Sequence, residues 1–228
     1  MNQFEKILEL VSKYCNKAGH DINHIIRVYN LSMELYNNES KLQAINKEAI
    51  ELASLLHDVD DYKFSSKEEA ESLLKTKIIL DTLNIDKDIS EKVINIIKSM
   101  GYSNRLNGIY PETIEGMIVS DADMCDSIGV NGIIRTIEYA VYKNNKIFDR
   151  YVFPKINQTS DEYKNYKTTA INHFFEKLLK LKNLMLTDSG RKVALNRHNV
   201  MVEFLRNYFI ENNEESWLEY LNNYLKDL

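Results

Sequence analysis

A chain of 228 residues, 44% of them hydrophobic, has material for a sizeable core and fits one large domain or two small ones. Seven glycines and two prolines are about half the usual share or less, which disfavours sandwiches and Rossmann sheets and suits long helices. The net charge of −5 argues against a nucleic-acid polymer as partner, and two cysteines make no disulfide framework. No charged, then apolar, then small leader is read at the start, and no run of about 18 apolar residues could span a bilayer. The expectation is a cytoplasmic protein that engages no membrane.

Hydrophobic periodicity reads as helix along most of the chain, so the expected fold class is all-α. Residues 3–17 form a first amphipathic helix with Phe4, Ile7, Leu8, Val11 and Tyr14 on one side, broken at Gly19. Asp21 is an N-cap candidate for a second, which carries Ile25, Val28, Tyr29 and Met33 to about Tyr36. A third runs from about Lys47 to Asp58. Ser65 or Ser66, with Glu68 and Glu69 following, opens a fourth to about Leu83 in the manner of a capping box. Residues 88–99 make a fifth, patterned Ile89, Val93, Ile96, Ile97, and residues 101–108 a polar loop. Pro111 and Thr113 open a sixth, which leads into SDADMCDSIG, and a seventh covers 130–143. Residues 144–161 are the longest irregular stretch and read as a surface excursion with the character of a lid. Two long helices, 162–185 and 188–226, close the chain. With no repeat, low-complexity tract or long linker, a single domain over 1–228 is expected.

Histidines and carboxylates gather at particular places on this frame. GHDINHIIRV sets His20 and His24 four residues apart and His24 and Arg27 three apart, so all can share a helical face. His57 and Asp58 stand side by side at the end of the third helix. Adjacent helical residues point about 100° apart, so one ion touches both only from between their directions. Imidazole plus carboxylate suits a borderline or hard divalent metal, but two ligands rarely suffice, and a helix C-terminal cap is the other reading of that pair. The sixth helix ends in Asp121-Ala122-Asp123, with Asp126 a turn later. His173, Lys177 and Lys180 recur at spacings of four and three, as either a solvated basic face or a cleft wall for a polyphosphate. Cys15 and Cys125 read as small buried hydrophobes.

Taken together, H-x-x-R-V, then L-H-D, then an A-D inside an apolar helix resemble the HD-domain superfamily of metal-dependent phosphohydrolases. The flanks extend the likeness to its small soluble bacterial branch. LLHDVDDYKF resembles that branch's helix end, and ETIEGMIVSDADMCDSIGVNGIIRT its T-x-E-x-x-I-V-x-D-A-D-x-x-D-x-x-G stretch. HFFEKLLKLKNLMLTDSGRKVA is similar to its C-terminal part. The resemblance covers roughly residues 15–210. It implies an HD helical bundle with a core over about 15–145 and C-terminal helices over about 162–228 packed on it.

It also implies His24, His57, Asp58 and Asp123 as ligands of one divalent metal, with Mn, Fe, Co, Ni and Mg all compatible. Two positions of an octahedron then stay open for water and a phosphate oxygen. Asp61 is the nearest unassigned carboxylate, able to orient or deprotonate water or else to serve the turn. His20 and Asp21 are candidates to steady a ligand imidazole through its second nitrogen, with capping the other reading of Asp21. Arg27, Lys63, Asp126, His173, Lys177 and Lys180 are the candidate substrate contacts. Asp58, Asp60 and Asp61 would repel a long polyphosphate unless such cations compensate. Two departures stand out. No histidine lies between residues 58 and 172, which implies a mononuclear site, and Met124-Cys125 stands where the branch commonly has Arg-Leu. The implied partner is a small phosphorylated substrate, a nucleotide above all. The implied reaction takes a nucleoside triphosphate to monophosphate plus pyrophosphate. Nucleotide monophosphatase and a non-catalytic metal- or nucleotide-binding module are the alternatives, and a homodimer is compatible with the sequence.

Overall fold

Ala49, Ile50, Leu52, Ala53, Leu55 and Leu56 are all buried, and a helix with so wide an apolar face has to sit among several neighbours. This helix, α3 (Lys47–Leu56), is the hub around which α1 (Gln3–Ser12), α2 (Ile22–Glu39) and α6 (Lys87–Ser99) pack. The computed structural model describes residues 3–14, 22–39, 44–60, 67–156, 159 and 168–228. Among them every regular element is helical, as the periodicity implies, and no helix is long and apolar enough to cross a membrane. The chain divides into two compact units, Met1–Asp123 with Leu186–Gly190, and Met124–Met185 with Arg191–Leu228.

In the first unit Asn46 starts α3 by accepting from the Ala49 amide at 3.0 Å, while its own N–H donates to Glu115 Oε1 at 2.8 Å. Glu115 opens α8 (Ile114–Asp126), so the starts of these two helices are tied together. The single helix expected over 65–83 is instead two, α4 (Lys67–Ser72) and α5 (Leu74–Thr82). Leu73 between them takes φ 52°, ψ 47°. A left-handed leucine costs about 1–2 kcal/mol, which burial of its side chain offsets. The loop expected over 101–108 holds a short helix, α7 (Tyr102–Leu106), steadied by Asn104 Nδ2 donating to the Lys98 and Met100 carbonyls.

The second unit opens with α9 (Gly129–Tyr142) and is built on aromatic rings. Phe174, Phe175, Phe209 and Trp217 are fully buried. Trp217 stacks on Phe153 at 4.7 Å between centroids and donates its Nε1–H to the Arg150 carbonyl at 3.1 Å. The helix expected over 162–185 is, in its described part, α10 (Ala170–Glu176) followed by a 3-10 helix, Leu178–Leu184. Lys177 leaves helical geometry between them, at φ −135°, ψ −60°. The last expected helix is likewise two, α11 (Asp188–Glu211) and α12 (Glu215–Lys226). Asn213 breaks it in the left-handed region at φ 55°. There the Glu214 N–H reaches back to the Phe209 carbonyl and the Asn213 N–H to that of Ile210, closing a Schellman turn.

Residues 145–156 do not behave as the expected free lid. Asn172 Nδ2 donates to the Val152 carbonyl at 2.9 Å, the Lys155 N–H to Glu176 Oε1 at 3.1 Å, and Lys180 Nζ to the Ile156 carbonyl. The Ala170 and Ile171 amides bind the Lys146 and Ile147 carbonyls. A strap pinned at so many points is part of its unit.

Candidate metal centre

His24 lies in the first turn of α2, whose inner face buries Ile25, Val28, Leu31 and Leu35. That face carries the imidazole in with it. Helix α3 stops at Leu56, so His57 and Asp58 sit in the following turn and not within the helix as expected. His57 Nδ1 lies 2.9 Å from the Ser54 carbonyl. A carbonyl only accepts, so Nδ1 carries the proton and Nε2 keeps a free lone pair, the tautomer a ligand needs.

That Nε2 faces the Nε2 of His24 at 3.2 Å, with the two rings edge-on at 72°. Asp58 brings Oδ2 to 3.3 Å from His24 Nε2 and Oδ1 to 3.6 Å from His57 Nε2. Asp123, from α8, brings Oδ1 to 3.5 and 3.8 Å of the same two nitrogens. Three segments distant in sequence therefore converge on one point. Ligand atoms bonded at about 2.1 Å stand about 3 Å apart when adjacent and about 4.2 Å when opposed. The observed spacings fit that range, and atoms of His24, His57 and Asp58 all lie within 4.8 Å of one another. The group could hold a metal ion. Its imidazoles are enclosed, whereas the Asp58 and Asp123 side chains are 12% and 24% exposed, so access is from the carboxylate side.

Behind Asp123, α8 is held by groups to which the sequence reading gave no role. Asp121 is fully buried and accepts from the Leu186 N–H at 3.0 Å and from the Thr187 N–H and Oγ1–H, both at 2.8 Å. Burial pushes its carboxyl above the usual range, and the Thr187 and Leu186 donors pull against that. Ser120 accepts from Arg105 Nη2 at 3.0 Å, and the Arg105 guanidinium lies 4.8 Å over the Tyr110 ring. Burial holds Arg105 below its ordinary value. The signals were there, in the first aspartate of D-A-D and in the matched LTDSG, but nothing in either names its partner.

The other expected site residues fall in several places. Arg27 is half-buried on α2, one turn after His24. Asp126 is buried, and Arg135 Nη1 meets its Oδ2 at 2.8 Å. Helix α10 ends between His173 and Lys177, so the basic stripe is not one continuous α-helical face. Burial, and secondarily Lys177, lowers the His173 imidazole to about 3, so it is neutral at pH 7. Burial also lowers Lys180, against the pull of Glu176. Asp60, expected in an acidic cluster beside the site, is buried and turned toward α5, where it accepts from the Lys75 and Thr76 amides at 3.0 and 2.9 Å. His20, Asp21, Asp61, Lys63 and Cys15 lie outside the described residues, whereas Cys125 is buried, its thiol donating to the Met185 sulfur at 3.8 Å.

The HD domain family model matches residues 21–128, the stretch that holds all four converging side chains. An HD-superfamily hydrolase from Bacillus thuringiensis, known from its crystal structure, is 31% identical to this chain. The match covers 92% of this chain and 97% of that one, with a TM-score of 0.70. The chain belongs to the HD superfamily. A relative in Bacillus subtilis (strain 168), YpgQ, is 33% identical over 193 residues, which are 83% of this chain and 82% of YpgQ. The crystal structure of YpgQ in complex with ADP matches at a TM-score of 0.67 over 92% of this chain and 97% of that one. A Lactobacillus plantarum protein of known structure matches with the same coverage at 31% identity and a TM-score of 0.79.

Proposed function

We propose that this HD protein is a mononuclear metal-dependent phosphohydrolase that converts a nucleoside triphosphate to its monophosphate and pyrophosphate. The observation that carries the reading is the convergence of two imidazole nitrogens and two carboxylates from three segments, enclosed on the imidazole side and open on the other. The structure of YpgQ with ADP supports a nucleotide as the substrate class. His24, His57, Asp58 and Asp123 would hold one divalent ion. Such an ion supplies Lewis acidity, screening phosphate charge and making a water nucleophilic near neutral pH.

The chain's own groups account for the rest. Ser54 fixes the His57 tautomer through its carbonyl. Asp61 is assigned to orient the attacking water and take its proton. Water then bonds to the α-phosphorus, the bridging oxygen leaves with pyrophosphate, and the released proton passes from Asp61 to solvent. Arg27 and Lys63 are assigned to the phosphates. The stripe fits that role less well, because His173 is neutral and Lys180 is engaged by the Ile156 carbonyl. Asp126 is assigned to bracing α8 on α9 through Arg135.

Product analysis with Mn2+ and no added pyrophosphatase tests the reading. The expected first products are monophosphate and pyrophosphate. Diphosphate with orthophosphate would refute the bond assignment, and nucleoside with orthophosphate from a monophosphate would replace the reaction by a monophosphatase one.

A further inference from the structure

We propose that Asp121 is a positioning residue of the metal centre, a role that rests on the metal site proposed above. It fixes the rotation of α8, and so the place of Asp123, by binding the backbone of residues 186 and 187. Residues 121 and 123 are two apart on a helix, which puts them about 200° apart around its axis. Asp123 therefore faces the imidazoles while Asp121 pulls from nearly the opposite side. A carboxylate about 5 Å from a helix axis moves about 0.9 Å for each 10° that the helix turns. Metal ligands tolerate about 0.2 Å, and working sites about 0.5 Å. A small rotation of α8 is therefore enough to spoil the centre.

The clamp is built on both sides. Three donors from residues 186 and 187 converge on one buried carboxylate. The segment that supplies them is held in turn by Glu39, whose Oε1 accepts from the Ser189 N–H at 3.0 Å and from the Ser189 Oγ–H at 2.7 Å. Glu39 ends α2, the helix whose first turn carries His24. A closed circuit results, running from His24 along α2 to Glu39, through Ser189 and Thr187 to Asp121, and back across α8 from Asp123 to His24 at 3.5 Å. Gly190 completes it. A Cβ there would lie 2.3 Å from Asp121 Oδ2 and 2.7 Å from Thr187 Oγ1, so any side chain displaces the clamp. One turn before Asp123, Arg105 braces the same helix through Ser120.

The test is calorimetric titration of Mn2+ into metal-free protein, with the melting temperature of each metal-free variant measured beside it. Asp121→Asn and Gly190→Ala are expected to weaken Mn2+ binding 10- to 100-fold, the range for residues that orient ligands from behind. Leu80→Ala, a core change on α5 in the same unit, is the stability control. It should keep the wild-type affinity within about threefold despite an equal or larger fall in melting temperature. Wild-type affinity in both clamp variants, or an equal loss in the control, would overturn the proposal. If Asp121→Asn does not fold, Gly190→Ala decides, since it keeps every polar atom; Thr187→Val, which removes one donor, serves if that fails too. A wild-type protein that takes up no Mn2+ removes the proposed function and this inference together. Normal wild-type uptake with unaffected variants removes only the role of Asp121.

Discussion

The two units differ in what they bury beside their aliphatic side chains. In the first, His24, Glu39, Asp60, Arg105 and Asp121 lie below the surface. In the second, the interior is a cluster of rings, with Trp217 contacting Phe148, Phe153, Phe209 and Tyr220. Rings gain stability from burial directly, whereas a buried carboxylate is tolerated only with donors around it. In the first unit those donors are assigned one by one, Lys75 and Thr76 to Asp60, Leu186 and Thr187 to Asp121, and Ser189 to Glu39. Where imidazoles and carboxylates face each other instead, the arrangement suits a cation better than it suits stability. The imidazoles and carboxylates that face one another lie in the first unit.

The sharpest way to break this contrast is to remove a facing group. His57→Ala or Asp58→Ala should abolish metal loading, from close to one equivalent to none, and lower turnover by about three orders of magnitude or more. The metal-free melting temperature should hold or rise, because a clustered polar group has gone. Metal analysis and calorimetry decide it, and full loading in both variants would remove the site assignment. On the aromatic side, Trp217→Ala should cost about 3–5 kcal/mol, read by urea unfolding followed through near-ultraviolet circular dichroism. A cost below about 1 kcal/mol would mean that the rings do not carry that unit.

Asp60→Ala should cost less, about 1–3 kcal/mol, because the first amides of α5 lose their acceptor. Hydrogen exchange should speed at Lys75 and Thr76 in particular; unchanged protection there would mean that Asp60 is dispensable as a cap. The smallest effect is on pH. Burial lowers His198 to about 4, with Lys182 adding to it, and His173 to about 3. Both are neutral when folded, while the unfolded chain binds their protons below about pH 6.5. Stability is then full above pH 6.5 and falls as pH drops toward 4, by about 1 kcal/mol between pH 7 and 6. Glu176, whose carboxyl burial raises, opposes this at lower pH. Fluorescence of Trp217, the sole tryptophan, against urea at each pH would show the slope, and a midpoint flat from pH 7 to 5 would contradict it.

Much of this was legible in the residues, and what escaped did so for identifiable reasons. Helical periodicity suffices for the fold class, and the His-Asp groups stand out because charged residues interrupt apolar helices there. The helix breaks escaped because the stop signal was read for glycine. In a chain with seven glycines, Asn213 takes the left-handed position at the missed break, as Asn84 and Asn144 do just past helix ends that were expected. Leu73 carries no local signal at all, since its conformation depends on Asp60 and on burial. Asp121 escaped because its partners lie 65 and 66 residues further along, and a buried carboxylate is indistinguishable from a surface one until they are in place.

The return of residues 186–190 to the first unit also sets a clock on synthesis. A ribosome adding about 5–20 residues per second makes the partners of Asp121 some 3–13 s after Asp121 itself. The nascent chain can wind α2, α3 and α8 in that interval, but Glu39 and Asp121 must wait without these donors while residues 124–185 emerge. Clamping of Asp121 therefore comes only after residues 124–185 have emerged.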